Sequence, residues 1–129
     1  MFFRIETGNG VPVYEQVARQ ITFAVANGSL ARGELVPSVR QLARDLAINP
    51  NTVARAYRQL QELGILESIR GTGLAVAGGA RAISKTERQR VLKERFAGVA
   101  DEAVQTQLER NDILGLFETE LDKQISKSR

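Results

Sequence analysis

Cysteine and histidine are both absent from the 129 residues of the chain. Without cysteine there is no disulfide framework, so we expect a cytoplasmic protein. Without histidine the chain lacks the commonest general base and transition-metal ligand, and it cannot form a Ser-His or Cys-His nucleophile pair. The carboxylates form no recognisable catalytic motif. We therefore expect no enzyme, no metal site and no cofactor.

Long apolar runs and aromatic side chains are also scarce. No run approaches the ~20 apolar residues that a transmembrane helix needs. The N-terminus, MFFRIETGNG, has neither the basic region nor the long apolar segment of a signal peptide, so we expect no membrane partner. Aromatic residues make up 5% of the chain, which is too few to support single-strand binding by base stacking.

The charges that are present are unevenly distributed. Residues 1–79 contain eight Arg and no Lys against six acidic residues, whereas residues 80–129 mix both basic types with nine acidic residues. Arg presents a rigid fork that fits phosphates and guanine edges, whereas Lys offers a point charge. The net charge of +3 favours a polyanionic partner. A general compositional bias toward Arg would give the same count.

The N-terminal part predicts a strand and then a helix. Residues 2–5, FFRI, are typical of a short strand, and the turn chemistry of TGNGVP follows them. The stretch VYEQVARQITFAVANG then has apolar residues at helical spacing, with Tyr14 in the apolar stripe and Gly28 as the stop signal.

The stretch VPSVRQLARDLAINPNTVARAYRQLQELG, residues 36–64, contains two helices with almost nothing between them. Ser38 and Gln41 form an S-x-x-Q capping box at the start of the first helix. Asn49 can cap the second helix, Pro50 suits its first position, and Gly64 ends it. Two helices joined in this way form a helix-turn-helix, whose second helix can enter the DNA major groove.

A β-hairpin is predicted after the helix pair. Residues 66–70 and 74–77 are typical of two strands, and the loop 71–73 between them, Gly-Thr-Gly, tolerates positive φ. Three helices followed by a hairpin form a winged helix-turn-helix, which we assign to a DNA-binding domain over residues 1–79. Gly78-Gly79 is the linker that ends it.

The remaining residues, 80–129, predict a two-helix antiparallel dimerisation tail. Ser84 and Glu87 form an S-x-x-E box that opens a long helix, and residues 110–112 mark a break before a final amphipathic helix. Two such helices cannot easily bury their apolar faces alone, but they can do so against a second copy. The predicted dimerisation residues are Leu92, Phe96, Val99, Ala103, Leu114, Phe117 and Leu121. Two alternatives remain: packing on the winged domain of the same chain, or a coiled coil with another protein.

The exposed polar residues of the helix pair and the hairpin are the candidate DNA-binding site. Arg55, one turn into the second helix, is the first choice for reading a base edge. Arg70, beside glycines, lets the backbone approach the minor groove or the phosphates. The candidate set is Ser38, Arg40, Arg44, Asn49, Asn51, Thr52, Arg55, Arg58, Arg70 and Gly71. An exposed arginine pair on a helix is also often a simple solvated face.

The stretches PVYEQV, PSVRQLARDL, NPNTVARAYRQLQELGIL and RGTG resemble the GntR family of bacterial transcription regulators, and the short two-helix tail resembles its YtrA-like subfamily. The resemblance covers about residues 10–78. It implies a homodimeric repressor that binds a double-stranded, inverted-repeat DNA operator. The implied contacts are made by Ser38, Arg40, Asn51, Thr52, Arg55, Arg70 and Gly71. Two positions depart from the pattern: Ala47 replaces a frequent Gly, and Ala54 replaces a basic residue found in some relatives.

The sequence leaves three candidate functions to compare. The first is a sequence-specific transcription regulator, a homodimeric repressor. The second is a winged-helix protein-interaction or architectural module with weak, non-specific DNA binding. The third, a hydrolase that uses carboxylates, would need an acidic pocket that the arginine-rich face does not indicate. A small-molecule effector of the repressor would need a cleft between the tail helices, or between the tail and the winged domain.

Overall fold

The computed structural model describes residues 3–128, which form five helices and one β-hairpin. The elements are α1 (Val13–Ala26), α2 (Val39–Leu46), α3 (Pro50–Glu62), β1 (Leu66–Ile69), β2 (Gly73–Val76), α4 (Ala80–Gln105) and α5 (Arg110–Lys127). The expected fold class, mainly α with a small hairpin wing and a two-helix tail, is confirmed. None of the described helices is long and apolar enough to cross a membrane.

The chain divides into two compact units, Met1–Arg90 and Val91–Arg129. The division falls inside α4, so the first turns of this helix belong to the first unit. The assignment of residues 1–79 to DNA binding and of residues 80–129 to dimerisation concerns function, and it stays a prediction.

The first unit has one apolar core, which α1, α2, α3 and the hairpin enclose. Val17 and Ile21 on α1 and Val53 and Leu60 on α3 are completely buried in it. Each large apolar side chain that is buried in this way contributes about 1.5–3 kcal/mol. The helical spacing seen in the sequence thus reports the buried faces of these helices correctly.

The hairpin is antiparallel, and a single bridge adds a third chain segment at its edge. Its register runs from Leu66 opposite Val76 to Ile69 opposite Gly73, which agrees with the predicted strands to within one residue. Leu35 forms an isolated bridge with Ala75, so the segment before α2 pairs with the outer side of β2. The hairpin is therefore anchored to the chain that leads into the helix pair.

The strand that we predicted at residues 2–5 is wrong for its described part, residues 3–5, which form no strand; residue 2 lies outside the described residues. The amide of Gln20 instead pairs with the N–H and C=O of Arg4, at 2.8 and 2.7 Å. The amide of Gln16 pairs with both backbone groups of Glu6, at 2.8 and 2.7 Å. Two glutamine side chains on α1 thus replace the partner strand that these extended residues would otherwise need.

The capping box that we predicted at Ser84 is also wrong. The helix begins four residues earlier, at Ala80, directly after the left-handed Gly79 (φ 79°). Ala80 and Ser84 are both fully buried, so the apolar start of α4 packs into the first unit and extends the helix backward. Glu87 forms an ion pair with Arg90 on the same helix.

The second unit is a helical hairpin formed by the rest of α4 and by α5. The rings of Phe96 and Phe117 meet edge to face, with centroids 5.8 Å apart. The break lies before residues 110–112, at the left-handed Gln107 (φ 64°), and residues 110–112 form the first turn of α5. No side chain among residues 92–128 is fully buried. The predicted dimerisation residues are exposed, apart from Ala103, which is half-buried.

A three-residue turn that begins at Ala47 joins α2 to α3. Ala47 is left-handed, with φ 53° and ψ 46°, and the next N–H, of Ile48, donates to the carbonyl of Ala43 at 3.0 Å. This is a Schellman ending, which usually has glycine at the left-handed position. The Asn49 side chain then accepts from the N–H of Asn51 at 2.8 Å, as predicted for a cap. The departure from glycine therefore falls at the one residue of the turn that needs a left-handed backbone.

Replacing Ala47 with glycine should stabilise the protein. A left-handed backbone costs an L-residue about 1–2 kcal/mol, and this relief outweighs the entropy of about 0.4–1 kcal/mol that glycine adds to the unfolded chain. We expect Ala47→Gly to raise the free energy of unfolding by about 0.5–1 kcal/mol in urea denaturation. Ala54→Gly, inside α3, is the control and should lower it by about 1 kcal/mol. Equal destabilisation by both changes would show that the turn carries no strain.

Candidate nucleic-acid interface

The outer face of α3 carries the predicted recognition residues. Asn51, Arg55 and Arg58 are exposed, and Thr52 is half-buried. The opposite face of the helix, which includes Ala56, is buried. The 3.6-residue period of the helix separates the two faces, so burial of one fixes the direction of the other. The helix therefore presents its polar residues together on the solvent side.

The second predicted group lies on α2. Ser38 caps this helix, since its Oγ accepts from the N–H of Gln41 at 3.1 Å. The reciprocal half of the capping box is wrong: the Gln41 side chain turns toward Asp45, one turn later, and its amide N–H donates to that carboxylate at 2.9 Å. Arg40 and Arg44 are exposed one turn apart on the same helix.

The arginines of this surface are not neutralised within the chain. Among residues 3–128, no carboxylate forms an ion pair with Arg40, Arg44, Arg55, Arg58 or Arg70. By contrast, Arg19 on α1 pairs with Glu15 at 3.3 Å. Unpaired cations on a rigid face keep their full charge for an external anion, and DNA phosphates are such anions.

The tip of the hairpin holds the last two predicted residues, Arg70 and Gly71. Both are exposed, and Gly71 is left-handed with φ 77°. A Cβ built on Gly71 or on Gly73 would meet no atom within 4 Å. The positive φ of these residues, and not a lack of space, therefore favours glycine here. The absence of side chains leaves the backbone of the tip open to close approach by a ligand.

One hydrogen bond ties α3 to the chain that enters α2. The hydroxyl of Tyr57 donates to the carbonyl of Pro37 at 2.7 Å, and the residue is 2% exposed. Burial raises the pKa of the Tyr57 hydroxyl well above its usual range. This buried tyrosine of the core thus also fixes the position of Ser38, the residue after Pro37.

Arg55 makes a contact that the sequence analysis missed. Its guanidinium carbon lies 3.7 Å from the centroid of the Tyr14 ring. We predicted Tyr14 as part of the apolar stripe of α1, and it is indeed half-buried against the core. No local pattern connects two residues so far apart in the chain, so only the packing of α1 on α3 brings them together.

The structure places eight of the ten predicted site residues on the α2–turn–α3 segment and the other two at the hairpin tip. Nine of the ten are exposed, and Thr52 is half-buried. No group of three or more acidic side chains within residues 3–128 is arranged to hold a metal ion. The chemistry that this surface offers is that of arginine forks, amides and backbone N–H groups, which suit phosphates and base edges.

The family model for bacterial regulatory proteins of the gntR family matches residues 13–76, from the start of α1 to the end of β2. The HTH-type transcriptional repressor YtrA of Bacillus subtilis (strain 168) is 34% identical over 93 residues, which cover 72% of this chain and 72% of YtrA. The chain belongs to the GntR family. Members of this family are DNA-binding transcription regulators, and the resemblance to YtrA that the sequence indicated is confirmed.

Solved structures extend the likeness of this GntR chain beyond the matched segment. A transcriptional antiterminator from Listeria monocytogenes EGD-e superposes with a TM-score of 0.70 at 26% identity, over 92% of this chain and 89% of that one. The DNA-binding domain of AraR in complex with operator ORX1 superposes with a TM-score of 0.50 at 25% identity, over 60% of this chain and 93% of that one. The winged helix-turn-helix of the GntR chain is thus the fold of a domain solved on operator DNA.

Removal of the Tyr57 hydroxyl should destabilise the helix pair. Tyr57→Phe leaves the Pro37 carbonyl without its partner, so we expect the free energy of unfolding to fall by about 1–2 kcal/mol at pH 7. Because the folded state raises the Tyr57 pKa, the wild-type advantage is complete below the ordinary tyrosine pKa of about 10 and shrinks above it. Urea denaturation from pH 7 to 11 measures both effects. Tyr14→Phe is the control, and an equal loss in both variants would contradict this role of Tyr57.

Proposed function

We propose that this GntR protein is a homodimeric repressor that binds an inverted-repeat operator in double-stranded DNA and blocks promoter access. The observation that carries the proposal is the exposed face of α3, whose arginines lack carboxylate partners among the described residues. YtrA, which is similar over most of its length, is named a repressor. A role on chromosomal DNA implies a cytoplasmic location.

The side chains divide into two groups by the part of DNA that they would contact. Arg55 lies one turn into α3 and carries a planar fork, which suits the O6 and N7 atoms of guanine in the major groove. The N-terminus of α3, with the polar side chains of Asn49, Asn51 and Thr52, suits a phosphate, because the positive end of the helix dipole lies there beside amide and hydroxyl donors. Arg70 and Gly71 at the hairpin tip suit the minor groove or its phosphates.

The remaining residues would position the protein on the duplex. Ser38, Arg40 and Arg44 lie on α2, the helix that crosses the DNA backbone in helix-turn-helix proteins. Contacts of this kind give affinity without sequence information. Arg58 lies one turn beyond Arg55 on the same face and extends the basic surface along the groove.

Loss of Arg55 should reduce sequence preference, whereas loss of Arg70 should reduce affinity on every sequence. We expect Arg55→Ala to cost ~1–3 kcal/mol on the operator and to relax the preference at one base position. Arg70→Ala should weaken binding evenly and lower the salt slope by about one per subunit. The measurement is fluorescence anisotropy over a salt series, with the operator selected from randomised duplexes and from DNA upstream of the protein's own gene, against scrambled DNA.

Arg81→Ala is the matched control for both variants. It removes the same charge, but Arg81 lies next to Gly28 beyond the C-terminal end of α1, roughly 20 Å along that helix from Tyr14 and Arg55. Binding that is equally weak on selected and scrambled DNA, and unaffected by Arg55→Ala, would contradict the repressor. That result would favour a protein-interaction or architectural module with the same fold.

The homodimer part of the proposal concerns the tail. Leu92, Phe96 and Val99 on α4 and Leu114, Phe117 and Leu121 on α5 are between 43% and 62% exposed. Apolar faces of this extent on two neighbouring helices need a partner surface. A second copy supplies an identical surface, and the two-fold symmetry of the pair matches an inverted repeat. Footprints of the two half-sites should then lie about 10 base pairs apart, or a multiple of this distance.

A charge in the apolar face of α5 should separate the dimer. We expect Leu121→Glu to weaken self-association at least about tenfold, since a carboxylate loses its hydration when the face is covered. Sedimentation equilibrium measures the dissociation constant. Gln124→Glu adds the same charge at an exposed polar position of the helix and should leave association nearly unchanged. A wild-type protein that stays monomeric at micromolar concentration would disprove the homodimer.

A further inference from the structure

The contact between Arg55 and Tyr14 joins the recognition helix to α1. The distance of 3.7 Å from the guanidinium carbon to the ring centroid is van der Waals contact with the ring face, well inside the range of a cation–π interaction. Arg58, the other exposed arginine of α3, lies over no aromatic ring among residues 3–128. The side chain that we propose as the base reader is therefore held in a way that its neighbour on the same helix is not.

The contact leaves the hydrogen-bonding edge of Arg55 available. A guanidinium stacks through its face, whereas its five N–H donors radiate in its plane. Within the part of the chain that the structure describes, none of these donors forms an ion pair or hydrogen bond. Arg55 can therefore lie on the ring and still present a two-donor fork to a base edge.

The neutral ring also holds Arg55 without neutralising it. The carboxylate of Glu15, the residue after Tyr14 on α1, accepts from the Tyr14 hydroxyl at 3.3 Å and pairs with Arg19 at 3.3 Å. If Glu15 were paired with Arg55 instead of Arg19, that salt bridge would have to break before Arg55 could contact DNA. The contact with the ring face has no such requirement, because the ring carries no net charge.

We propose that Tyr14 is a positioning residue for sequence recognition: it holds Arg55 in a conformation from which the fork reads a base edge. This inference rests on the proposed function, in which Arg55 contacts a base. An arginine side chain that is ordered before binding loses less rotamer freedom when the complex forms. Tyr14 thus makes the N-terminal end of α1 part of the specificity surface without touching DNA itself.

The test compares an operator with its variant at the base pair that Arg55 reads. Tyr14→Leu removes the ring, while Tyr14→Phe keeps the ring face and deletes only the hydroxyl. We expect Tyr14→Leu to reduce the discrimination between the two duplexes by about two- to fivefold, the range of an exposed cation–π contact. Tyr14→Phe should retain most of the discrimination, and neither variant should change the affinity for scrambled DNA.

The Arg55→Ala background separates failure of this inference from failure of the proposed function. There, adding Tyr14→Leu should change nothing further, because the side chain that Tyr14 positions is gone. If Arg55→Ala alone leaves discrimination intact, the assignment of Arg55 as a base reader is wrong. If Arg55→Ala reduces discrimination while Tyr14→Leu does not, only the role of Tyr14 is wrong. Tighter operator binding by Tyr14→Leu would overturn the inference too, because the ring would then compete with DNA.

A measurement on the DNA-free protein checks the contact itself. Ring currents should move the side-chain NMR signals of Arg55 upfield relative to those of Arg58, which has no aromatic partner among the described residues. The shift should persist in Tyr14→Phe and vanish in Tyr14→Leu. Signals of Arg55 and Arg58 that coincide in the wild-type protein would overturn the inference without any operator being known.

Discussion

The three-residue turn between α2 and α3 is the constraint on which the recognition surface depends. Its left-handed Ala47 ends α2, and the Asn49 cap starts α3 two residues later, so neither helix can be extended without losing these hydrogen bonds. With the length of the turn fixed, burial of Val53 and Leu60 sets the rotation of α3. The outward direction of Arg55 follows from that rotation. The Tyr57 hydroxyl, on α3, then holds the chain that enters α2 against α3.

Local signals in the sequence predicted the helix pair and the hairpin well, because caps, turn glycines and apolar spacing act over a few residues. The two failures in assigning elements occurred where distant groups replaced a local partner. Gln16 and Gln20 on α1 satisfy the backbone that was expected to form a strand at residues 3–5. Burial of Ala80 favours a helix start before the capping box at Ser84. Of the site, the exposed residues were predictable, but the contact between Tyr14 and Arg55 was not.

The two units differ in how much of their apolar surface a single copy of the chain can bury. The first unit encloses a continuous core, and side chains from α1, α2, α3, the hairpin and the start of α4 fill it. In the second unit the same kind of apolar spacing leaves residues 92–128 without a fully buried side chain. Apolar residues at helical spacing therefore indicate a face that needs covering, but not what covers it. This is why the sequence could define the tail helices while their partner stays a proposal.

The absence of lysine from residues 1–79 has a physical reason at some positions and none at others. At Arg55 a lysine could lie over the Tyr14 ring, but its point charge could not also present a two-donor fork in the plane of the group. Arg19 pairs with a carboxylate on its own helix, where lysine would serve nearly as well. The bias toward arginine therefore indicates function only where the guanidinium uses its face and its edge at the same time. At Arg55 the Tyr14 ring occupies the face, while the edge with its N–H donors stays available.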